Sequence, residues 1–142
     1  MIRALETGDR PRILEIYDRA AAKSAFSIGA RWREDDFTDE LAHAKGWVWL
    51  EGQVPVGFIF CRFQPDSVEV TQLAVDPAHW GRKVGLRMLE AVLAAHPGPA
   101  WLEVHERNKP AQRVYEAAGF KKTGERKRYY RDGGTAWLYT KT

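Results

Sequence analysis

Hydrophobic positions along this chain follow two alternating periods. Runs rich in aromatic and β-branched residues, such as WVWLE, VPVGFIFCRFQ, SVEVTQLAV and AWLEV, predict strands. Between these runs, apolar residues recur three or four positions apart, which predicts helices that bury one face. The whole pattern predicts the element order β-α-α-β-β-β-α-β-α-β-β. This order indicates an α/β protein of the α+β type, with a mixed sheet and helices on its faces.

Capping residues and glycines predict where the helices begin and end. Asp9 is expected to cap the first helix, and residue 35 or 36 to begin the second, which Gly46 would end. Asn108 is expected to cap the last helix, and Gly119 to end it in a left-handed conformation.

The strand pattern argues against one common fold. A first strand is expected within residues 1–6, and the last two at about residues 120–130 and 135–140, joined by a turn at 132–134. Strands two to four follow one another without a helix, which predicts an antiparallel meander. The meander, and the absence of GxGxxG and GxxxxGK[ST], argue against a doubly wound nucleotide-binding fold. We expect a single domain over residues 1–142.

The composition predicts a folded, globular protein. Of the 142 residues, 44% are hydrophobic and 29% are charged, which excludes wholesale disorder. The lone Cys61 cannot form an internal disulfide and is expected to be a buried, small hydrophobic residue. No apolar run approaches the ~20 residues of a membrane helix, and the N-terminus lacks a signal-peptide pattern. We therefore expect a soluble, cytoplasmic protein that does not associate with membranes.

The formal net charge is +3, and the basic excess is concentrated in KKTGERKRYYR, residues 121–131. Nucleic acid, a phosphate-bearing cofactor or an acidic protein partner would each suit such a patch, and a strand with solvated charges is the simplest alternative. The four histidines and one cysteine show no metal-ligand spacing, so we expect no metal.

The first segment that carries chemistry is LAVDPAHWGRKVGLRMLEAVL, whose pattern is strand, loop and helix. Backbone N–H groups at the start of a helix have no partner within it, and the helix dipole is positive there. Gly81 and Gly85 allow an anion to approach closely, and Arg82 and Lys83 add positive charge. The segment therefore predicts a pyrophosphate site, although an ordinary strand-to-helix turn has the same pattern.

The second segment is LEVHERNKPAQRVYEAAGF. Glu103 stands in an apolar strand, where a carboxylate should be paired, exposed at an opening of the sheet, or functional. His105 is on the same face of that strand and is an alternative base, as is Glu69 on a neighbouring strand. Tyr115 is on the inward stripe of the following helix, where a core aromatic is the commoner explanation.

In this order and separation, the two segments resemble the GNAT superfamily of acyl-CoA-dependent N-acetyltransferases. The closest resemblance is to the branch of ribosomal-protein alanine N-acetyltransferases (RimI-type), whose L-E-V-R-x-x-N-x-x-A-x-x-L-Y-x-x-x-G-F the second segment follows closely. KRYYRDGGTAWLYTK resembles the R-x-Y-Y ending of that branch, and Trp32 and Phe37 keep its W-x-x-x-x-F spacing. The resemblance covers nearly the whole chain and implies a mostly antiparallel central sheet, splayed between strands four and five.

The resemblance further implies transfer of an acetyl group from acetyl-CoA to a primary amine, most closely the N-terminal α-amine of a protein. Glu103 would be the general base and Tyr115 the general acid. Acceptor contacts would come from Trp32, Tyr129 and Tyr130. The implied cofactor contacts are the backbone of Leu73, Ala74 and Val75, the pyrophosphate loop of Gly81, Arg82, Lys83, Val84, Gly85 and Leu86, and Asn108 near the thioester.

The chain departs from the branch at two places. In the loop pattern [RQ]-x-x-G-x-[GA], Trp80 replaces the Arg or Gln and Lys83 replaces the middle glycine. Lys83 would still offer its backbone N–H if its φ were negative. The F-P-W before the second helix is also absent, and FSIGARW stands there. These changes bear on cofactor affinity and acceptor choice.

Two alternative functions stay open. A small-molecule amine acetyltransferase usually surrounds a cationic substrate with acidic residues, whereas the acceptor-side segments ARWRED and RKRYYR lean basic and favour a peptide. A non-catalytic acyl-CoA-binding module would suit Trp80 and Lys83, but it would not need Glu103 and Tyr115 together with Asn108. Nucleic acid is not expected as the substrate.

Overall fold

The computed structural model describes residues 1–23, 34–130 and 132–142, and for residues 34–37 it describes the backbone alone. The strands are β1 (Ile2–Ala4), β2 (Lys45–Glu51), β3 (Val54–Gln64), β4 (Ser67–Val75), β5 (Ala100–His105), β6 (Lys121–Arg126) and β7 (Ala136–Lys141). The helices are α1 (Arg10–Ala22), α2 (Glu34–His43), α3 (Val84–Ala95) and α4 (Lys109–Ala117). The element order predicted from the sequence is confirmed.

The seven strands of the described residues form one sheet in the order β1-β2-β3-β4-β5-β7-β6. Each neighbouring pair is antiparallel except β4 and β5, which run parallel. A tight turn joins β2 to β3, where Gly52 takes a φ of 62° that few other residues adopt. The mixed, mostly antiparallel sheet is confirmed.

Strand β4 is paired very differently along its two edges. Along β3 it pairs over its whole length, whereas along β5 only Val68 and Glu69 find partners, in Ala100 and Trp101. A register shift in the β3–β4 ladder makes Thr71 an extra residue of β4, and such a bulge bends a strand. Strand β4 therefore turns away from β5 after Glu69, which confirms the expected splay.

The two faces of the sheet carry separate hydrophobic clusters. Helix α1 covers one face, and α3 and α4 cover the other. The buried members of the α1 cluster are Ile13, Ile16, Tyr17, Val48, Leu50, Phe58 and Phe60. Along β3, Phe58 and Phe60 join this cluster and Ile59 joins the other, as the alternation of side chains in a strand requires. The prediction of helices on both faces is confirmed.

Three local predictions are confirmed. The Asn108 side chain caps α4, because its Oδ1 accepts a hydrogen bond from the Ala111 N–H at 3.2 Å. Gly119 ends that helix with a φ of 99°. Cys61 is fully buried, and burial, together with the nearby charge of Glu40, raises the pKa of its thiol to about 12.

The predicted start of the first helix is confirmed, whereas the predicted end of the second is wrong. Asp9 is the N-cap residue of α1, but its carboxylate makes no capping bond, because it accepts the Glu6 backbone N–H at 2.8 Å and the Arg3 guanidinium at 2.7 Å instead. The helix end expected at Gly46 is wrong, because this residue lies within β2, opposite Phe60. A Cβ at Gly46 would come 2.6 Å from the Phe60 ring, so packing requires glycine in this strand.

Strand β6 is shorter than predicted. It ends at Arg126 rather than near residue 130, because Arg128 takes a left-handed φ of 54° that a strand cannot contain. Residues 127–135 form what we call the β6–β7 connection, of which residue 131 lies outside the described residues.

Helix α2 begins at Glu34, one residue before the predicted start. Within the described ranges, no helix is long and apolar enough to cross a membrane.

Candidate active site

A cleft of about 840 Å³ lies where β4 and β5 diverge. Its walls are formed by the ends of these two strands, the loop into α3, the start of α4 and the β6–β7 connection. The predicted site residues that line it are Leu73, Ala74, Val75, Gly81, Lys83, Val84, Gly85, Leu86, Glu103, Asn108, Tyr115, Tyr129 and Tyr130. The two segments singled out in the sequence therefore meet at one cleft, because the splay separates the strands that carry them.

Of the predicted contact residues, Arg82 is not part of this lining, and Trp32 is not among the residues that the structure describes. Arg82 is exposed, and its guanidinium lies 3.5 Å from Nδ1 of His79. Trp32 lies outside the described residues, as does the side chain of Phe37. The acceptor contact expected from Trp32 therefore stays a prediction.

One edge of β4 offers its backbone to the cleft. After Glu69, the edge that faces β5 has no strand partner among the described residues. Backbone N–H and C=O groups require hydrogen-bond partners, so this edge suits a ligand that carries amide groups and runs along the strand. The carbonyl of Val75 already accepts a hydrogen bond from Nε1 of Trp80 at 2.8 Å, so the half-exposed Trp80 ring closes this end of the edge.

The loop into α3 is held in place by the buried Asp76. Its Oδ1 accepts the Ala78 N–H at 3.0 Å, and its Oδ2 accepts Arg12 at 2.8 Å and Arg19 at 3.0 Å, both from α1. Burial alone would raise the pKa of Asp76, but these hydrogen bonds and the two guanidinium charges lower the pKa below its usual value. The sequence pattern did not indicate this tie, since the partners are distant along the chain.

Lys83 adopts a conformation that normally belongs to glycine. It lies at the N-cap of α3 with φ 60° and ψ 24°, so the negative φ under which it would offer its N–H is not found. A left-handed conformation costs an L-residue about 1–2 kcal/mol. The Lys83 side chain does not cap the helix, so no side chain among the described residues fills the hydrogen-bonding positions at the start of α3. The first helical residues, Val84 to Leu86, line the cleft. With Gly81 at φ 84°, the loop and first turn of α3 fit an anion such as a pyrophosphate.

Glu103 reaches the cleft from β5 and is mostly buried. Its side chain is 16% exposed, and its Oε2 accepts no hydrogen bond from the residues that the structure describes. The Arg126 Nε lies 3.4 Å from Oε2, which is an ion-pair distance without hydrogen-bond geometry. A mostly buried carboxylate with an unfilled acceptor position is costly, and because Glu103 lines the cleft, its carboxylate suits a ligand that donates a proton or a hydrogen bond.

Tyr115 reaches the same cleft from α4. Its ring packs edge-on against Phe120 and Tyr139, with centroid distances of 6.1 and 6.3 Å. Burial, and to a smaller extent the charge of the nearby Cys61, raises the pKa of Tyr115 above its usual value. The hydroxyl therefore keeps its proton at neutral pH and can donate a hydrogen bond.

Two more carboxylates lie at the bend of β4. Burial raises the pKa of Glu69, the charge of Arg62 lowers it in part, and the charge of Glu103 raises it further. Glu69 lines the cleft, so it stays an alternative base. Glu40 of α2 is buried and accepts Thr71 Oγ1 at 2.6 Å and Arg62 at 3.0 Å, which braces the bulge. No pattern in the sequence marked Glu40, because its partners come from two distant strands.

His105, the other alternative base, is buried with both ring nitrogens engaged. Nδ1 accepts the Arg107 backbone N–H at 3.1 Å, and Nε2 donates to the Asp132 carboxylate at 2.9 Å. Neither nitrogen is therefore placed to take a proton from a substrate. The described residues contain no group of three or more His, Cys, Asp or Glu side chains that could hold a metal ion.

The family model described as the acetyltransferase (GNAT) family matches residues 10–120. This match covers most of the chain, and the splayed sheet and its cleft agree with it. The chain belongs to the GNAT acetyltransferase family.

Individual relatives support the RimI-type branch. The chain is 42% identical over 74 residues to the N-alpha-acetyltransferase RimI of Mycobacterium tuberculosis, which covers 51% of this chain and 47% of that protein. It is 30% identical over 127 residues to the peptidyl-lysine N-acetyltransferase YiaC of Escherichia coli, and the alignment covers 84% of this chain and 82% of that protein. The crystal structure of the ribosomal-protein-S18-alanine N-acetyltransferase from Escherichia coli superposes with a TM-score of 0.82 at 27% identity. The superposition covers 99% of this chain and 91% of that chain. A further relative, the protein ML0378 of Mycobacterium leprae, is 37% identical over 134 residues, which cover 92% of this chain and 33% of that protein. The chain therefore spans less than half the length of both mycobacterial relatives.

Proposed function

We propose that this protein transfers the acetyl group of acetyl-CoA to the N-terminal α-amine of a protein, with Glu103 as general base and Tyr115 as general acid. One observation carries the proposal: the cleft at the β4–β5 splay brings Glu103, Asn108 and Tyr115 together beside the unpaired edge of β4. A module that only bound an acyl-CoA would not need a carboxylate and a phenol at this point. The proposal includes a cytoplasmic location and a protein acceptor.

The cofactor wall of the cleft has the chemistry that acetyl-CoA requires. The backbone of Leu73, Ala74 and Val75 would bind the amide groups of the pantetheine arm, which is the way an added strand binds a sheet edge. The uncapped first turn of α3 would bind the pyrophosphate, because its N–H groups and helix dipole favour anions. Asn108, whose Oδ1 already caps α4, would bind near the thioester through its amide nitrogen.

The acceptor amine must lose a proton before it attacks. An α-amino group has a pKa of about 8 and a lysine about 10.4, so the reactive fraction at neutral pH is a few hundred-fold larger for an N-terminus. The amine nitrogen forms a bond to the acetyl carbon, the carbon–sulfur bond breaks, and the amine proton goes to Glu103 directly or through water. The Glu103 carboxylate, which lines the cleft, would be the acceptor group in this step.

The departing thiolate needs a hydrogen-bond donor. A free thiol has a pKa of about 8.5 and a free tyrosine about 10, so full proton transfer from a tyrosine is uphill by ~2 kcal/mol. Burial raises the pKa of Tyr115 above that of a free tyrosine, which makes full transfer still less favourable. Tyr115 therefore stabilises the thiolate mainly by donating a hydrogen bond, with late or partial proton transfer.

A lysine side chain is the second candidate acceptor. Two observations favour it: one relative aligned over 84% of the chain is named a peptidyl-lysine N-acetyltransferase, and a second carboxylate, Glu69, lines the cleft. A lysine demands a stronger base than an α-amine, and the raised pKa of Glu69 gives it more basicity than an exposed glutamate.

A mass-spectrometric transfer assay tests the proposal. The protein is incubated with acetyl-CoA and a pool of peptides that differ in their first residue and share an internal lysine. We expect acetylation of the α-amine, with Ala or Ser starts preferred. Acetylation confined to the lysine would replace the acceptor but keep the reaction. No product with peptides or small amines, despite measurable acetyl-CoA binding, would contradict catalysis.

A further inference from the structure

His105 is buried at the end of β5 and is bonded on two sides. Its Nε2 lies 3.0 and 2.9 Å from the two carboxylate oxygens of Asp132, which belongs to the β6–β7 connection. Its Nδ1 accepts the Arg107 backbone N–H at 3.1 Å, so the proton of the neutral ring must be on Nε2. The imidazole therefore joins β5 to the β6–β7 connection through a hydrogen bond with a fixed tautomer.

The same imidazole lies against Tyr130. The two rings are stacked, with centroids 4.7 Å apart and an interplanar angle of 21°. Burial raises the pKa of Tyr130 above its usual value, and the charge of Glu103 raises it further, which places this phenol within the electrostatic reach of the predicted base. Tyr130 is thus an aromatic wall of the cleft whose orientation depends on His105.

The β6–β7 connection is shaped around this contact. The Asp132 Oδ1 accepts the Gly134 N–H at 2.7 Å, and the Tyr130 backbone N–H donates to the Gly134 carbonyl at 3.2 Å. A Cβ at Gly134 would overlap the His105 ring. The requirement for glycine here is space for the imidazole, because Gly134 is not among the residues with a positive φ.

We propose that His105 is a positioning residue: together with Asp132 it fixes the β6–β7 connection to β5 and holds Tyr130 at the acceptor side of the cleft. This inference rests on the proposed acetyl transfer. The branch pattern that the chain resembles has Arg at the position of His105, so this histidine contact is not part of that pattern. The proposal gives His105 no role in proton transfer.

Kinetics separate this role from simple stabilisation of the fold. His105→Phe keeps a ring against Tyr130 but removes both nitrogen contacts, and Asp132→Ala removes the partner carboxylate. Loss of a hydrogen bond to a charged group predicts an increase of about tenfold in KM for the acceptor peptide, with KM for acetyl-CoA changed by less than about twofold. Arg107→Ala is the matched control, because it removes an exposed 2.8 Å ion pair to Asp132 and leaves the backbone N–H that His105 accepts.

The outcomes for the variants are distinct. An equal rise in both KM values, or an unchanged KM for the acceptor, would overturn the inference. Thermal unfolding of each variant establishes that it is folded. If His105→Phe does not fold, Asp132→Ala decides the question, because Asp132 is a loop residue with a 25% exposed side chain.

A spectroscopic test needs neither a variant nor activity. Nitrogen-15 NMR of the unmodified protein should give the Nε2–H tautomer for His105, and nuclear Overhauser contacts should join its ring to the Tyr130 ring. The Nδ1–H tautomer, or the absence of ring contacts, would refute the arrangement. If the unmodified protein transfers no acetyl group but gives both signals, the proposed function fails while the contact between His105 and Tyr130 stands.

Discussion

The two walls of the cleft are built from different parts of the polypeptide. The cofactor wall, residues 73–86, offers mainly backbone: an unpaired strand edge, a loop with left-handed residues and the first turn of α3. The opposite wall, called the catalytic wall after its proposed role, offers side chains, namely Glu103, Tyr115, Tyr129 and Tyr130. This contrast accounts for the departure of Trp80 and Lys83 from the family's loop pattern, whereas the proposed base Glu103 and the proposed acid Tyr115 keep the family's residue types. A backbone donor survives a change of side chain, whereas a base does not.

The contrast predicts different kinds of damage on the two walls. Substitutions on the catalytic wall should lower the rate with little change in stability. Substitutions on the cofactor wall should act through the conformation and stability of the loop.

The largest effect is expected for Glu103→Gln. The amide keeps the size of the side chain but cannot accept the amine proton, so kcat/KM should fall by about 10²–10⁴. Acetyl transfer to the best peptide, followed by mass spectrometry, measures this loss. Glu90→Gln on the exposed side of α3 is the charge-matched control and should retain full activity. Activity within a few-fold of the unmodified protein would move the base to Glu69.

A smaller loss is expected for Tyr115→Phe. A hydrogen bond to a charged group is worth about 1.5–3 kcal/mol, so its removal should lower kcat/KM by about 10–100-fold. The ring contacts with Phe120 and Tyr139 are kept, and the melting temperature should change little. The loss for Tyr115→Phe should be smaller than the loss for Glu103→Gln if amine deprotonation limits the rate. A loss that equals or exceeds that of Glu103→Gln would contradict the ordering and indicate that departure of the thiolate limits the rate.

On the cofactor wall, Asp76→Asn should destabilise the fold by about 2 kcal/mol, because two guanidinium groups lose their carboxylate in a buried setting. The folded pKa of Asp76 is depressed, so its stabilising contribution is present above the ordinary pKa of about 3.8 and is lost as pH falls through the folded value. Chemical unfolding at pH 7 and below pH 4 measures both effects. A difference between variant and parent that does not shrink on acidification would contradict this account.

The smallest effect is a gain. Lys83→Gly should raise stability by about 0.5–1 kcal/mol, because glycine adopts φ 60° without strain but loses more entropy on folding. Lys83→Ala is the matched control: it also removes the ammonium but keeps the Cβ that causes the strain. Thermal unfolding should therefore show a gain for glycine alone. Equal stability of the two variants would show that φ is not the cause.

Much of the site could be predicted because its residues lie in two short segments with local signals. Glu103, Asn108 and Tyr115 were assigned from one strand–helix segment, and all three line the cleft. The roles of Asp76 and Glu40 were missed, since each depends on partners from other elements: Arg12 and Arg19 for Asp76, and Arg62 and Thr71 for Glu40. The catalytic and binding roles of Glu103, Asn108 and Tyr115 stay predictions.

Local patterns by themselves determined the order of the elements, the cap at Asn108 and the left-handed end at Gly119. They could do so because periodicity, capping and φ preference act within a few residues. Only the tertiary structure decided that Gly46 belongs to a strand, that the bulge at Thr71 opens the sheet, and that His105 faces Asp132. Each of these depends on contacts between residues far apart in sequence, and such contacts exist only once the sheet has formed.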